Sequence, residues 1–271
     1  MIKNYSLINS LYLTKVVEKL PKFISRKIHK IFKIYFVPTK ISVLPNFNYP
    51  ISHNCNYQNE LIKNFKNTQK QNSFMTYPDL INLISSLYSK NDEFNFLDYG
   101  SENVDFYLKL KLMFPKVNYF IFNQKNIMDN LKIIKEENNF KNFNLIYNEK
   151  QLSENQYDFI NLGSVIQYIK DYEALILDLM NISKKHIFFS GTHFYESAHE
   201  SKNMIVKQVN ILPRTFYLYF FNKDIFKSIF LEHNFKIKLE NKNLTDNINY
   251  KNFKSESFSS IDYLDILFEK N

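Results

Sequence analysis

The stretch Phe96-Leu97-Asp98-Tyr99-Gly100-Ser101-Glu102 decides how this chain is read. A short apolar run at 94–97 predicts a strand, and a turn at 98–101 passes it to a helix over 103–114. Only three glycines occur among 271 residues, against 27 Phe and 19 Tyr. So skewed a composition lowers the information in any single Phe, Tyr, Lys or Asn. It raises that of each glycine, because one that survives the skew has a backbone reason to be there. Gly100 falls where a strand must turn sharply. A small turn of this kind lets a ligand reach backbone N–H groups, and the helix N-terminus that follows favours an anionic group.

Outward from this turn the chain alternates between two periods. Upstream, 60–68 and 78–90 read as helices, the second opened by Tyr77-Pro78-Asp79, with Leu80, Leu83, Ile84 and Leu87 on one face. Downstream, Pro115 ends the helix, 117–122 is a strand and 126–138 a helix. Strands follow at 143–147, 157–162 and 186–190, with a helix at 171–182 between the last two. A helix at 223–233 leads to strands at 235–240 and 263–268. Strands separated by helices predict an α/β domain over 59–271, with a largely parallel sheet covered on both faces. Such sheets bind ligands outside the carboxyl ends of their strands, where the strand order reverses.

The glycine turn resembles the first motif of class I S-adenosylmethionine-dependent methyltransferases, in which an apolar strand runs into an acid and a glycine turn that holds the methionine half of the cofactor. This chain departs from the family at Glu102, where a second glycine is usual. The family's next strand ends in an acid for the ribose hydroxyls; here Tyr119-Phe120-Ile121-Phe122 ends in Asn123-Gln124. An Asn carbonyl accepts a hydrogen bond but lacks the charge-assisted strength of a carboxylate. The run Tyr157-Asp158-Phe159-Ile160-Asn161-Leu162-Gly163-Ser164-Val165-Ile166-Gln167-Tyr168-Ile169 resembles one branch more closely. That branch is a methyltransferase family associated with bacterial surface-polysaccharide biosynthesis, whose members read S-x-L-Q-Y after the fourth strand. Thr192 and Val206-Lys207-Gln208 echo it too, whereas Ser190-Gly191-Thr192-His193 replaces a common Asp-Arg-Thr-Pro. The resemblance spans roughly residues 59–270.

The resemblance implies a Rossmann-like class I methyltransferase fold with S-adenosylmethionine as cofactor. It places Asp98, Gly100, Ser101, Asn123, Gln124, Gly163 and Ser164 around that cofactor, and Gln167 and Tyr168 beside the acceptor. The implied reaction is methyl transfer to a hydroxyl of a sugar or glycan precursor. A residue just after the fifth strand of this fold lies near the transferred methyl group, so His193 is the candidate general base, its ordinary pKa being suited to neutral pH. A solvated loop histidine is the competing reading of His193. A binding or scaffold protein that keeps the fold without catalysis is the competing reading of the whole chain, and Glu102, Asn123 and the altered 190–193 segment favour it.

The net charge of +8 is unevenly distributed. Residues 1–40 hold Lys3, Lys15, Lys19, Lys22, Arg26, Lys27, Lys30, Lys33 and Lys40 against the single acid Glu18, and the rest of the chain is neutral. Over 1–36, apolar residues recur at helical spacing between these bases, and Pro21 divides the segment or starts a second helix. The pattern predicts a basic helical extension that either lies on an anionic membrane surface or packs on the body with its lysines in water. Residues 37–58, with Pro38, Pro45 and Pro50, predict a linker, so the extension covers 1–58. Nucleic-acid binding is not expected, since Arg26 and Arg214 are the only arginines and the body carries no excess base.

Cys55 is the only cysteine, which rules out an internal disulfide and suits a reducing compartment. With His53 nearby it is read as a loop thiol. No stretch reaches the roughly 18 apolar residues of a membrane span, and the first 30 residues lack a signal-peptide core. The protein is therefore expected in the cytoplasm, or peripherally on the inner face of the membrane. No metal is expected: His193, Glu196, His199 and Glu200 would cluster on a helix but match no known ligand spacing.

Overall fold

The computed structural model describes residues 20–31, 33, 35–45, 59, 62–63, 78–102, 104–196, 202–209, 216–243, 250, 253 and 260–271. Two compact units are present. The first comprises Tyr49–Gly163, Leu177–Phe188 and Glu269–Asn271; the second comprises Met1–Asn48, Ser164–Ile176 and Phe189–Phe268.

The first unit holds a parallel sheet of β2 (Asn95–Tyr99), β3 (Asn118–Phe122), β4 (Phe143–Ile146) and β5 (Tyr157–Gly163). Their spatial order is β5-β2-β3-β4, with the beginning of β6 (Ser183–Glu196) beside β5. The order therefore reverses between β2 and β5. The register sets Phe96 opposite both Phe159 and Tyr119, and Tyr119 opposite Phe143. These four rings stack in one row across four strands, with centroids 5.3 to 5.7 Å apart. Each such pair is worth about 0.5–1.5 kcal/mol beyond the area it buries. The aromatic-rich composition is thus used to hold the sheet in register.

Helices cover this sheet: α2 (Pro78–Leu87), α3 (Asp105–Met113), α4 (Lys125–Asn138) and the short α5 (Glu149–Ser153). On α4, Ile127, Met128, Leu131 and Ile134 are buried at helical spacing, and Asn139 ends the helix in the left-handed region at φ 49. Asn148 caps α5 by accepting from the Gln151 N–H.

In the second unit, β1 (Phe36–Pro38), β7 (Met204–Gln208), β8 (Phe216–Asn222) and the end of β6 lie side by side in that order. β1–β7 and β7–β8 are antiparallel, and β8 is parallel to β6. β10 (Ser260–Lys270) pairs with β6, and β9 (Phe235–Lys242) with β10. Phe36, Tyr195, Val206, Leu218, Phe220 and Phe253 form one core cluster. A second aromatic group joins Phe189, Phe226, Phe230 and Phe268, with the last two rings stacked at 3.7 Å. Asn222 caps α7 (Lys223–Leu231) by accepting from the N–H groups of Asp224 and Ile225. The remaining helices are α1 (Lys22–Ile31), begun at Pro21, whose carbonyl accepts from Ile24 and Ser25, and α6 (Tyr172–Ile182).

Several expectations need correction. The predicted linker contains a strand, because Phe36 and Val37 are buried and pair with β7. The fifth predicted strand, 186–190, is 14 residues long and includes His193 and Glu196, so no helix brings those two side chains to one face. β7 and β8 went unpredicted; over β8, 216–221 is apolar throughout and shows no period of two. Of the helix expected at 60–68, only Ile62 and Lys63 are described. Residues 1–19, Cys55, His53, His199, Glu200 and Arg214 lie outside the described residues.

Candidate active site

At the reversal of strand order, Asp98 ends the buried part of β2 with 4% of its surface exposed. Both carboxylate oxygens are engaged: the Tyr119 hydroxyl donates to Oδ2, and Asn161 Nδ2 donates to Oδ1 at 2.8 Å. Ser101 adds a third hydrogen bond. Burial still outweighs these bonds, and the Asp98 pKa lies above the ordinary carboxylate value. Strand geometry explains the convergence. Asp98 and Asn161 are register partners, each two residues beyond a ring of the aromatic row, so both point to the face from which Tyr119 extends its hydroxyl.

Gly100 follows with φ 87, a conformation that other residues adopt only under strain, and its N–H donates to the Phe122 carbonyl at 2.8 Å. Asn123 completes the arrangement. Its Nδ2 donates to the Ser101 carbonyl at 2.8 Å, and its Oδ1 accepts from the Gln124 N–H at 2.7 Å. A carboxylate at this position could not make the first of these bonds. The turns after β2 and β3 are thereby stapled together. Gln124, at the start of α4, and Gly163, at the end of β5, are exposed. Val104, which caps α3, has no polar side chain, and the acid of the first turn, Asp105, is paired with Lys109 at 3.0 Å.

In the second unit, Gly191 is the hub. Its N–H donates to Asp265 Oδ1 at 2.7 Å, which also accepts from Asn243 at 2.9 Å. Its carbonyl accepts from Ser164 Oγ at 3.2 Å and Gln167 Nε2 at 3.3 Å. Ser164 Oγ also lies 3.2 Å from the Tyr263 hydroxyl. Gly191, inside β6, has φ 58 and Ser164, just after β5, has φ 53, so two residues with positive φ meet here. Gln167 is buried, with its Oε1 lacking a hydrogen-bond partner. The Tyr168 hydroxyl donates to Gln208 at 2.7 Å.

His193 is not a solvated loop residue: it is 4% exposed inside β6. Its ring lies parallel to Phe220 at 4.5 Å, with Phe36 and Tyr263 also at 4.5 Å. Neither ring nitrogen has a hydrogen-bond partner. Burial lowers its pKa to about 3, so the imidazole is neutral at physiological pH. Glu196 is bound by Lys223 at 2.8 Å. Among the described residues, no group of three or more His, Cys, Asp or Glu is placed to hold a metal ion.

No family model and no curated sequence matches this chain. Solved structures do. Coclaurine N-methyltransferase, bound to N-methylheliamine and S-adenosylhomocysteine, matches with a TM-score of 0.51 at 10% identity, covering 99% of this chain and 100% of that one. The chain has the class I methyltransferase fold. A methyltransferase from Clostridium acetobutylicum (TM-score 0.49, 8% identity, 79% of this chain and 98% of that one) is also similar. So is the N-terminal domain of EvdMO1 (0.46, 11%, 79% and 96%).

In an open α/β sheet of this fold the ligand lies outside the carboxyl ends of the strands at the reversal. Of the residues expected at the cofactor, Asp98, Gly100, Ser101, Asn123 and Gln124 come together there, and Gly163 ends the neighbouring strand. Ser164, Gln167 and His193 belong instead to the cluster around Gly191 and Tyr263, beside which Tyr168 reaches to Gln208. Sequence reasoning missed Tyr119, Asn161, Tyr263 and Asp265. Asn161 left a signal, a lone amide in the apolar strand 157–162. The other three did not.

Proposed function

We propose that the chain transfers a methyl group from S-adenosylmethionine to a hydroxyl of a sugar or glycan precursor. One observation carries the reading. The Gly100 turn stands at the reversal of strand order and is tied down three times: through Asp98 to Tyr119 and Asn161, through its own N–H to Phe122, and through the Ser101 carbonyl to Asn123. A turn so constrained offers backbone N–H groups in a fixed geometry, as cofactor recognition requires. The presence of S-adenosylhomocysteine in coclaurine N-methyltransferase, a protein of the same fold, supports the choice of cofactor.

The residues present fit that cofactor. The Gly100–Ser101 backbone and the start of α3 suit its amino-acid half, where no capping side chain competes. Asn123 Oδ1, which has a second lone pair, and Gln124 suit the ribose hydroxyls. Gly163 leaves room at the end of β5. Asp98 acts by holding the turn. When bound, the cofactor supplies an electrophilic methyl group on a positively charged sulfur. The protein's part is then to position the acceptor and remove its proton.

We assign the proton to His193. Its neutral ring has one lone pair and one N–H, neither satisfied by the protein, and both suit a hydroxyl. An alkylated hydroxyl is strongly acidic, so even a weakly basic imidazole takes its proton as the new C–O bond forms. We place the reaction in the cytoplasm beside an anionic membrane surface, which the basic residues of 1–36 favour.

A second reading, a binding or scaffold protein without catalysis, draws on the same site: Asp98 and Asn123 bind the protein's own groups, and Glu102 stands where a second glycine is usual. Calorimetric titration with S-adenosylmethionine and S-adenosylhomocysteine separates the two readings. Micromolar binding that disappears in a folded Asp98→Ala variant supports the enzyme and justifies an acceptor screen. No binding at millimolar ligand would sink the enzyme and leave the scaffold.

A further inference from the structure

We infer that α1 and the segment that follows it form a docking surface for an anionic lipid bilayer. Ten large hydrophobic side chains are exposed among the described residues, and four of them fall within 23–43: Phe23 at 64%, Ile31 at 75%, Ile41 at 38% and Val43 at 59%. The other six are spread over 112–231. A concentration of exposed apolar side chains in so short a stretch marks an interaction surface.

The helix is organised for a flat surface. Phe23 and Ile31 are eight residues apart, which at 3.6 residues per turn puts them about 80° apart on one side, with exposed Lys27 between them. Ile24 and Ile28, farther round, are half-buried. A helix lying in the headgroup layer sends its apolar side chains about 5–10 Å inward; Phe23 and Ile31 are exposed on the side that would do so, with Lys27 between them. Lysine stems accommodate this by directing their charges back to the phosphates.

Charge selects the partner. The helix contains Lys22, Arg26, Lys27 and Lys30 with no acid, and exposed Lys33 and Lys40 follow it. A second copy of this chain would set like charges against each other, so self-association is disfavoured. A nucleic acid would satisfy the bases but leave Phe23 and Ile31 in water. An anionic bilayer satisfies both. The inference rests on the membrane-side placement proposed above, but it requires no cofactor and no catalysis.

The test is flotation of the full chain with vesicles of phosphatidylcholine alone and with about one third phosphatidylglycerol, over a range of salt. The expected result is binding to the anionic vesicles only, weakening as salt rises. Phe23→Glu combined with Ile31→Glu should lower vesicle affinity at least about tenfold, since each loses a buried apolar side chain and adds an acid. Lys27→Glu with Lys33→Glu should do the same. Equal binding to both vesicle types, or a Phe23/Ile31 variant that floats like the unaltered protein, would overturn the inference. So would single-stranded RNA that binds with the same salt dependence and displaces the vesicles from the unaltered protein and the variant alike. Circular dichroism shows that the variants are folded. Because S-adenosylmethionine titration is independent of vesicles, loss of one property leaves the other readable.

Discussion

Asn161 Nδ2 donates to Asp98 Oδ1 at 2.8 Å across the strand pair at which the order of the parallel sheet reverses. Asp98 thereby links three adjacent strands, since Tyr119 supplies the hydrogen bond from the other side. Ligands of open α/β sheets bind outside the strand ends at such a reversal, and here the strands that meet there carry a buried polar triad.

Replacing Asn161 with Leu is expected to destabilise the protein by about 1–3 kcal/mol, because it leaves a buried carboxylate oxygen without its donor. Tyr119→Phe should cost a similar amount, and the double variant less than the sum, since both act on one carboxyl group. Urea denaturation of the three variants measures this coupling. Strict additivity would show that Asp98 does not join them.

The raised pKa of Asp98 has a definite consequence for pH dependence. A folded-state pKa above the unfolded one means that the folded protein holds the proton more tightly. The stability this contributes is fully present below the unfolded value and is lost as pH rises through the folded one. Asp98→Asn cannot titrate. Its stability relative to the unaltered protein should therefore improve as pH rises from the acid range towards neutrality, a trend that thermal melts at stepped pH would reveal or refute.

Asn123→Asp puts a carboxylate against the Ser101 carbonyl and removes the only donor of the staple. About 1 kcal/mol of stability should be lost from the ligand-free protein. Asn123→Ala should lose no more than this, as it adds no repulsion. Equal stability of Asn123→Asp and the unaltered protein, by calorimetry, would mean that the staple is not formed.

Gly191→Ala should be the most damaging change in the second unit. A Cβ at φ 58 is strained, and it would collide with Ser164 Oγ and the Tyr263 hydroxyl. About 1–3 kcal/mol is expected, which for a chain of this size corresponds to a fall in Tm of several degrees.

His193→Phe distinguishes a functional imidazole from a structural one. Filling an aromatic shell with a ring that has no unsatisfied nitrogen should leave stability unchanged or raise it by about 1 kcal/mol. Methyl transfer, in contrast, should fall. The depressed pKa adds a second readout: the unfolded chain gains a proton near pH 6.5 that the folded protein refuses until about 3, so stability is lost as pH falls below 6.5. The Phe variant should lack that part of the acid sensitivity. Destabilisation at pH 7 together with full activity would reverse the assignment.

Much of the fold is legible from local pattern. Phe96 and Leu97 running into Asp98 and Gly100 mark a strand, an acid and a turn, and the helix over Lys125–Asn138 follows from its spaced apolar residues. The site is less so. Asn123 is visible as a departure from an acidic position, but its staple to Ser101 depends on two turns being adjacent. Tyr119 looks like one more ring in an aromatic-rich strand. His193 lies just beyond the strand expected at 186–190, whereas the strand extends through it to Glu196. In 216–221, six consecutive apolar residues erase the alternation by which a half-exposed strand is recognised.

By itself the sequence determined the succession β2, α3, β3, α4, β4 and β5, the position of the one glycine turn at which a ligand site would form, and the concentration of positive charge in the first forty residues. These are properties of neighbours in the chain, written in spacing and composition. Tertiary structure alone decided which polar atoms are already paired. Asp265 reaches Gly191 across 74 residues and Asn161 reaches Asp98 across 63, and burial rather than residue type sets the protonation of Asp98 and His193. The reason is physical: a hydrogen bond or a desolvation penalty depends on what lies within a few ångströms in space, and strand pairing, not sequence proximity, brings those groups together.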